Sequence, residues 1–388
     1  MTDHLRVALV TNYPVDPSRI QGGVQAVAVR LVGALQQIPG LELHVVHCHS
    51  DIDHSQVIRE AGVTRHYIAQ TRRRVVPNMT SAIGLIAARL REIAPDVVHA
   101  HDSPSFALAA LRAGYRPIWT LHGLTAEEAK HYRGAFQQLS HALTQYYERR
   151  ALARVPFITA VSPYLMHAYR AQTRVPWHVI DNPAPEGYFD LPRRPVPGRV
   201  LMPATLIPLK DPLTLVRAAA QIRDAIPELS VHLAGAPANP AYAATLRAEI
   251  TRLDLAEAVT LLGALDAPRL QQEFIEASVV TLPSRQDVSP MALIEAMAAG
   301  VPVVASAVGG VPYLVEEDVT GRLVPPAEPA ALATALTSLL SEPEISQRMG
   351  LAARETARTR FAASRVAAKY LALYREAARV GAGATGHD

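Results

Sequence analysis

The chain has 388 residues, 49% of them hydrophobic and 19% charged, with a formal net charge of +3. That length exceeds what one core usually spans, so two domains are expected in a composition ordinary for a soluble globular protein. The single cysteine, Cys48, excludes an internal disulfide and fits a reducing cytoplasm.

The start, MTDHLRVALVTNYP, has an apolar core of only four residues, VALV, too short for a signal peptide. No window offers the roughly 20 apolar residues of a membrane span. The segment 290–308 comes closest but is interrupted by Glu295, Gly300 and Pro302, and reads as a helix followed by a strand. Charge is uneven. Residues 1–190 hold 19 Lys and Arg against 15 Asp and Glu, whereas 191–388 hold 19 against 20. The first part also carries 13 of the 15 histidines. A basic half is compatible with peripheral contact at a membrane surface or with an acidic acceptor, and equally with ordinary solvated surface. A cytoplasmic location is expected, and no nucleic-acid partner.

Short apolar runs alternate with helical patterns along the chain. Strands are predicted at 6–11, 41–48, 96–101, 117–123 and 157–162, and helices at 23–37, 81–93, 106–114 and 137–154. This alternation predicts a parallel sheet covered by helices on both faces. The segment 182–198 then carries five prolines, a density that neither a helix nor an interior strand tolerates. Residues 188–198 are therefore expected to link a first domain, 1–187, to a second, 199–360.

The alternation restarts beyond it. Strands are predicted at 199–205, 229–235, 259–263, 279–284, 302–306 and 321–326, with helices at 211–226, 239–255, 268–277 and 290–300. Helices follow to 380, and the tail 381–388, GAGATGHD, is expected to be disordered. The fold class is α/β, with two doubly wound, Rossmann-like parallel-sheet domains facing a cleft. In such sheets ligands bind beyond the carboxyl ends of the strands.

The stretch 284–310, SRQDVSPMALIEAMAAGVPVVASAVGG, concentrates the chemistry. Ser289 before Pro290 predicts a helix start, and Gly300 its end. Asp287 then lies in a loop at the sheet's mouth, and Glu295 lies within the helix. Two carboxylates beside free helix N–H groups suit a nucleotide sugar: carboxylates accept from hydroxyls, and N–H groups hold phosphate. An acidic residue at a helix N-terminus plus a glutamate at the core edge is an equal alternative on these residues alone. Gly309-Gly310 allows the backbone to approach a ligand closely.

The stretch SRQDVSPMALIEAMAAGVPVVASAVGGVPYLVEEDVTGRLV resembles the signature of family-4 retaining glycosyltransferases of the GT-B fold. That signature has an acidic residue, seven residues, then Glu, followed by AMA-x-G-x-PVV, GG-x-P and TG-x-LV. Elsewhere GGVQAVAVRLVGAL, PDVVHAHD, WTLHG, ITAVSPYL and VIDNPAPEGYF resemble further family segments, and the last helix, 361–380, resembles one that crosses back onto the first domain.

The resemblance implies a role for each matched residue. Asp287 would contact hydroxyls of the donor hexose, and Glu295 the ribose diol of the nucleotide. Lys210, in PATLIPLKD, would hold the donor diphosphate. Ser289, Pro290 and Met291 would offer the helix N-terminus, with Val308, Gly309 and Gly310 lining the site. Gly22 and Gly23 would line the phosphate side from the first domain, and His122 would sit by the donor sugar. Asn182 is a weaker carry-over. His99 and His101, two residues apart on one strand face, are structural candidates of which one could serve a site. Arg72, Arg73 and Arg74 read as a solvated loop or a lipid-facing run.

Two departures stand out. The first acidic position, usually Glu, is Asp287. The Gly-Arg that usually precedes the lysine by six and five residues is Ala204 and Thr205, which removes a cation expected on the diphosphate. Arg285 and Arg19 are the candidates to replace it.

The implied reaction is metal-independent transfer of a hexose from a UDP- or GDP-sugar to a hydroxyl of a glycan or glycolipid, with no cofactor beyond the donor. His122, Asp287 and Lys210 would act in the chemistry. A sugar-nucleotide epimerase on the same fold, or a weak or non-catalytic donor-binding subunit, is the alternative.

Overall fold

The computed structural model describes residues 4–20, 22–49, 52–60, 62–70, 75–129, 134–237 and 239–384. The chain divides into two compact units, Met1–Pro183 with Ala363–Asp388, and Ala184–Ala362.

The first unit runs β1 (Leu5–Val10), α1 (Gly23–Leu35), β2 (Leu41–His49), β3 (Gln56–Glu60), β4 (Val63–Ala69), α2 (Val75–Ile93), β5 (Val97–His101) and α3 (Pro104–Arg112). It continues through β6 (Ile118–Leu121), α4 (Thr125–Ala129), α5 (Ala135–Leu152), β7 (Phe157–Ala160), α6 (Pro163–Tyr169) and β8 (Trp177–Val179). The sheet order is β3-β4-β2-β1-β5-β6-β7-β8. The order reverses between β1 and β5, which pair in parallel with Val7 opposite Val97. Both are buried on both faces, hence their continuous apolar runs. The sheet is not wholly parallel: β3 runs antiparallel to β4 at the edge, with Glu60 opposite Val63. Neither strand was predicted, because QVIREAGVTRHYIA mixes polar residues into a short hairpin at a sheet edge.

The second unit contains β9 (Arg199–Pro203), α7 (Pro212–Ile222), β10 (Ser230–Ala234), α8 (Pro240–Arg252), β11 (Val259–Gly263), α9 (Ala267–Glu276) and β12 (Val279–Leu282). Then come α10 (Met291–Ala298), β13 (Val303–Ser306), β14 (Gly321–Val324), α11 (Pro329–Ser341) and α12 (Pro343–Arg360). The order β11-β10-β9-β12-β13-β14 is parallel throughout, and the winding reverses between β9 and β12. A crevice forms at such a reversal because the two flanking loops leave on opposite faces.

The expected linker is not a separate segment. Residues 188–198 belong to the second unit, and the division falls earlier, between Pro183 and Ala184. The prolines lack N–H groups, but the residues between them are recruited. Arg194 N–H donates to the Ile275 carbonyl at 3.0 Å and Val196 N–H to that of Glu276 at 2.8 Å. The Arg193 guanidinium donates to the Ile275 and Ala277 carbonyls at 3.1 and 2.6 Å. The segment thus satisfies carbonyls at the carboxyl end of α9 that have no partner within the helix.

The last helix, α13 (Ala363–Ala384), belongs to the first unit. Val366, Ala367, Tyr370, Leu373, Tyr374 and Ala377 join the core formed by Leu31 and Leu35 of α1 and the strands β1 and β2. The helix extends through Ala384, into the expected disordered tail, of which 385–388 lie outside the described residues. Tyr374 also makes a buried hydrogen bond, its hydroxyl standing 2.8 Å from His99 Nδ1. Tyr374→Phe is expected to lower the free energy of unfolding in urea by about 1–3 kcal/mol, the range for removing one partner of a buried pair. An unchanged denaturation midpoint would contradict the weight given to this contact.

Candidate functional site

In the second unit, the loops leaving β9 and β12 are bound together by two ion pairs that cross. Lys210, in the β9 loop, donates its ammonium to Asp287 Oδ2 in the β12 loop. In return Arg285, in the β12 loop, places Nη2 3.0 Å from Asp211 Oδ2 in the β9 loop. The Arg285 N–H also donates to the Leu209 carbonyl at 2.8 Å. Asp211 is buried and left-handed, at φ 49° and ψ 52°, and stands before Pro212. Its carboxylate accepts from Thr214 Oγ1 at 2.8 Å as well as from Arg285. Ser284 Oγ adds a 3.1 Å bond to Asp287 Oδ2.

Spare hydrogen-bonding capacity remains. An ammonium has three donors, and Lys210 commits one to Asp287. Asp287 receives both its partners on Oδ2, which leaves Oδ1 able to accept. The Arg285 side chain is 48% exposed, with its fork partly outside the pair. Thr205 is exposed and supplies no cation.

The helix α10 begins one residue later than expected. Pro290, not Ser289, is the N-cap, with φ −66° and ψ 122°. Its carbonyl accepts from Leu293 N–H at 3.1 Å. A proline is restricted to this φ, so it can end the extended loop and start the helix. The carboxyl end closes with Val301 N–H on the Ala296 carbonyl and Gly300 N–H on that of Met297, at 2.9 and 3.0 Å. Glu295 is 8% exposed on this otherwise apolar helix.

The glycine pair after β13 serves the chain itself. Gly309 is left-handed at φ 52°, and a Cβ there would fall 2.0 Å from the Asp287 carbonyl oxygen. That same oxygen accepts from Gly310 N–H at 2.9 Å. The closely approaching group is therefore the Asp287 backbone, which the β13 loop holds in place. Val308 beside it is buried.

In the first unit, Gly22 is the N-cap of α1 at φ 84° and ψ 171°, a conformation open to glycine, and Gly23 is the first helical residue. His101 ends β5 and His122 follows β6, with His99 in the middle of β5. His99 is enclosed: Nδ1 meets the Tyr374 hydroxyl at 2.8 Å and Nε2 meets Thr120 Oγ1 at 2.6 Å. Thr120 in turn bonds Thr159 and, at 3.3 Å, the Tyr370 hydroxyl. His101, fully buried, pairs through Nδ1 with Nε2 of half-buried His122 at 3.0 Å. Burial holds all three neutral. His99 is pushed down to about 3, His122 to about 4, and His101 well below the ordinary range. Asn182 is buried near the end of the same unit. Arg19 is 86% exposed and faces Asp16 at 3.5 Å.

The structure therefore gathers Lys210, Asp287 and Arg285 in the second unit and His101 and His122 in the first. It places Arg285, not Arg19, in the β12 loop that is tied to Lys210. Arg72, Arg73 and Arg74 lie outside the described residues. Asp211, Ser284 and Thr214 were missed. The only signal for Asp211 was its position between Lys210 and Pro212, where a short polar residue tolerates a left-handed backbone. Tyr242 was missed too; burial, then the negative charge of Asp211, pushes its hydroxyl up to about 12. Among the described residues no group of three or more His, Cys, Asp or Glu is arranged to hold a metal ion.

Comparison with known proteins gives this geometry a family. The fold resembles that of sucrose-phosphate synthase from Thermosynechococcus elongatus, with TM-score 0.81 and 22% identity, covering 96% of this chain and 99% of that one. It also resembles Anabaena HepE in complex with UDP and glucose, with TM-score 0.75 and 19% identity, covering 96% and 100%. The two parallel-sheet α/β units are those of the GT-B class. Residues 21–186 match Glycosyltransferase Family 4, and residues 189–356 match Glycosyl transferases group 1. Together these two glycosyltransferase models cover most of the chain, which belongs to the glycosyltransferases they describe.

Among curated relatives, the D-inositol 3-phosphate glycosyltransferase of Streptomyces coelicolor is 38% identical over 158 residues, 39% of this chain and 35% of the relative. That of Corynebacterium glutamicum is 36% identical over 175 residues, 44% and 42%. The chain thus spans about a third to two fifths of the length of the curated relatives it matches.

Two outcomes follow from the geometry. Gly309→Ala is expected to destabilise the second unit by about 1–3 kcal/mol, because strain and collision with the Asp287 carbonyl coincide. Thermal unfolding of the variant reads this, and an unchanged midpoint would contradict it. The second concerns pH. Unfolded histidines take up a proton near pH 6.5, whereas His99 and His122 resist until about 3 and 4 when folded. Stability is therefore complete above pH 6.5 and is lost as pH falls from there towards 4. Fully buried His99 alone accounts for up to about 1.4 kcal/mol per pH unit in that window. Melting temperature should fall between pH 7 and 5.5, where carboxylates titrate little; a flat profile there would contradict this.

Proposed function

We propose that the chain transfers a hexose from a nucleoside-diphosphate sugar to a hydroxyl of a glycan or glycolipid acceptor. The observation that carries this reading is the crossed clamp at the winding reversal of the second sheet. It holds Lys210 beside the loop of Arg285, with donors of both outside their ion pairs. Two cations at the carboxyl ends of β9 and β12 suit a diphosphate. Negative charge builds on the departing diphosphate as the sugar–oxygen bond breaks, and preorganised cations stabilise it at little reorganisation cost. Arg285 thereby takes the part of the cation missing at Thr205.

The remaining roles follow the chemistry of each group. Asp287 Oδ1 accepts from a hydroxyl of the hexose. Glu295 accepts from the ribose diol. The Ser289-Pro290-Met291 turn brings the start of α10 to the phosphates, and Gly309 and Gly310 keep the Asp287 loop in register. In the first unit, Gly22 and Gly23 open α1 towards an anionic group, and His122 bonds a sugar hydroxyl. We further propose retention of anomeric configuration, by attack on the face the diphosphate leaves, with the leaving phosphate taking the acceptor's proton. No metal is required by this scheme. Relatives carry the name D-inositol 3-phosphate glycosyltransferase and a fold neighbour is described with UDP and glucose. UDP-sugars and D-inositol 3-phosphate therefore head the donor and acceptor panels.

The test is incubation with UDP-, GDP- and ADP-sugars, with nucleotide release and melting-temperature shift as readouts. Binding of at least one donor is expected, unaffected by chelator. Lys210→Ala and Arg285→Ala should each weaken it tenfold or more, about 1.4 kcal/mol. Glu295→Ala should abolish it with the fold intact. Failure to bind any donor overturns the proposal, and epimer formation without transfer selects the epimerase instead. Normal binding by Glu295→Ala would remove that residue from the site.

A further inference from the structure

We infer that His101 is a positioning residue for His122: it fixes His122 as the tautomer that carries its proton on Nδ1, so that the outward edge of the ring donates a hydrogen bond. The inference rests on the reading above only for what His122 meets, a sugar oxygen; the tautomer itself follows from unliganded geometry.

Two neutral imidazoles joined by one hydrogen bond have two possible proton arrangements. Their contact is His101 Nδ1 to His122 Nε2, at 3.0 Å. In the first arrangement His122 Nε2–H donates, and the one proton of His101 must then sit on Nε2. That nitrogen has no hydrogen-bond partner, and the His101 side chain is fully buried. A buried N–H without an acceptor is among the rarest arrangements in folded proteins. In the second, His101 Nδ1–H donates to His122 Nε2. The buried Nε2 of His101 then holds only a lone pair, against His99 with ring centroids 4.4 Å apart. An unmet acceptor is better tolerated than an unmet donor. Once His122 Nε2 accepts, the single proton of a neutral His122 must be on Nδ1.

Both rings are held neutral by burial, which keeps this logic in force at neutral pH. His122 Nδ1 has no partner among the described residues, and the ring is half-buried, so Nδ1–H is available to an incoming oxygen. The consequence is chemical. A neutral His122 of this tautomer donates at its free nitrogen and cannot take a proton there. It can hold a hydroxyl or phosphate oxygen, but it cannot act as the base that an epimerase would need at that position.

The test uses the intact, unliganded protein with 15N-labelled histidine, observed by long-range 1H–15N correlation at pH 7. His122→Asn identifies the His122 signals by their loss. The expected pattern for His122 is a protonated Nδ1 and an unprotonated Nε2. In His101→Phe, which keeps a ring but removes the donor, His122 should shift towards the Nε2–H form that free neutral histidine favours. His101→Asn, whose amide nitrogen can stand where Nδ1 does, should restore the native pattern. A protonated Nε2 on His122 in the native protein overturns the inference, and so does an unchanged pattern in His101→Phe. The native measurement needs no variant of His101 to fold, and its outcome is independent of the donor-binding panel.

Discussion

The second unit depends on an exchange of charge between two loops that the sheet brings together from 77 residues apart. Each loop contributes one cation and one carboxylate, and each cation is held by the opposite loop's carboxylate. The arrangement is electrically balanced, so neither loop carries a lone buried charge, the costly case. It also resists slippage, because moving one loop along the other would break both pairs at once. Parallel topology makes this possible. At the reversal, β9 and β12 are neighbours whose following loops open towards the same end of the sheet. The two cations there are already oriented, and Asp287, which orients Lys210, keeps one oxygen able to accept.

The first unit presents the opposite electrostatic character at the ends of its strands. Burial keeps His99, His101 and His122 uncharged, and the network of His99, Thr120, Thr159, Tyr370 and Tyr374 is a set of neutral donors and acceptors that satisfy one another. Such a wall adds polarity without net charge. The loops after β9 and β12 in the second unit instead hold their charged groups in crossed pairs.

The parts of this molecule legible from sequence were those with strict local chemistry. Interior strands showed as apolar runs, and motif spacing singled out Lys210 and Asp287, which the structure pairs. Pro290 marked the start of α10 to within one residue. The hidden parts depend on contacts distant along the chain. The β3–β4 hairpin is an edge pair whose mixed polarity masks its period. The proline-rich stretch looked like a linker because sequence displays its missing N–H groups but not the α9 carbonyls that Arg193 and Arg194 satisfy. The partnership of Arg285 with Asp211 crosses a chain separation that no local pattern records. The Gly309-Gly310 pair was read as letting the backbone approach a ligand, and the group found against it is the protein's own Asp287 backbone.

The return of α13 to the first unit has a consequence for how the chain is made. Synthesis proceeds from the amino terminus, so β1 to β8 leave the ribosome with one flank of their core uncovered. Tyr370 and Tyr374, which close that flank and bond Thr120 and His99, emerge only after the whole second unit has been translated. The second unit, continuous in sequence, can complete its fold first. The earlier-born unit is the later one to mature, and until then it exposes apolar strand and helix surface of the kind that chaperones bind.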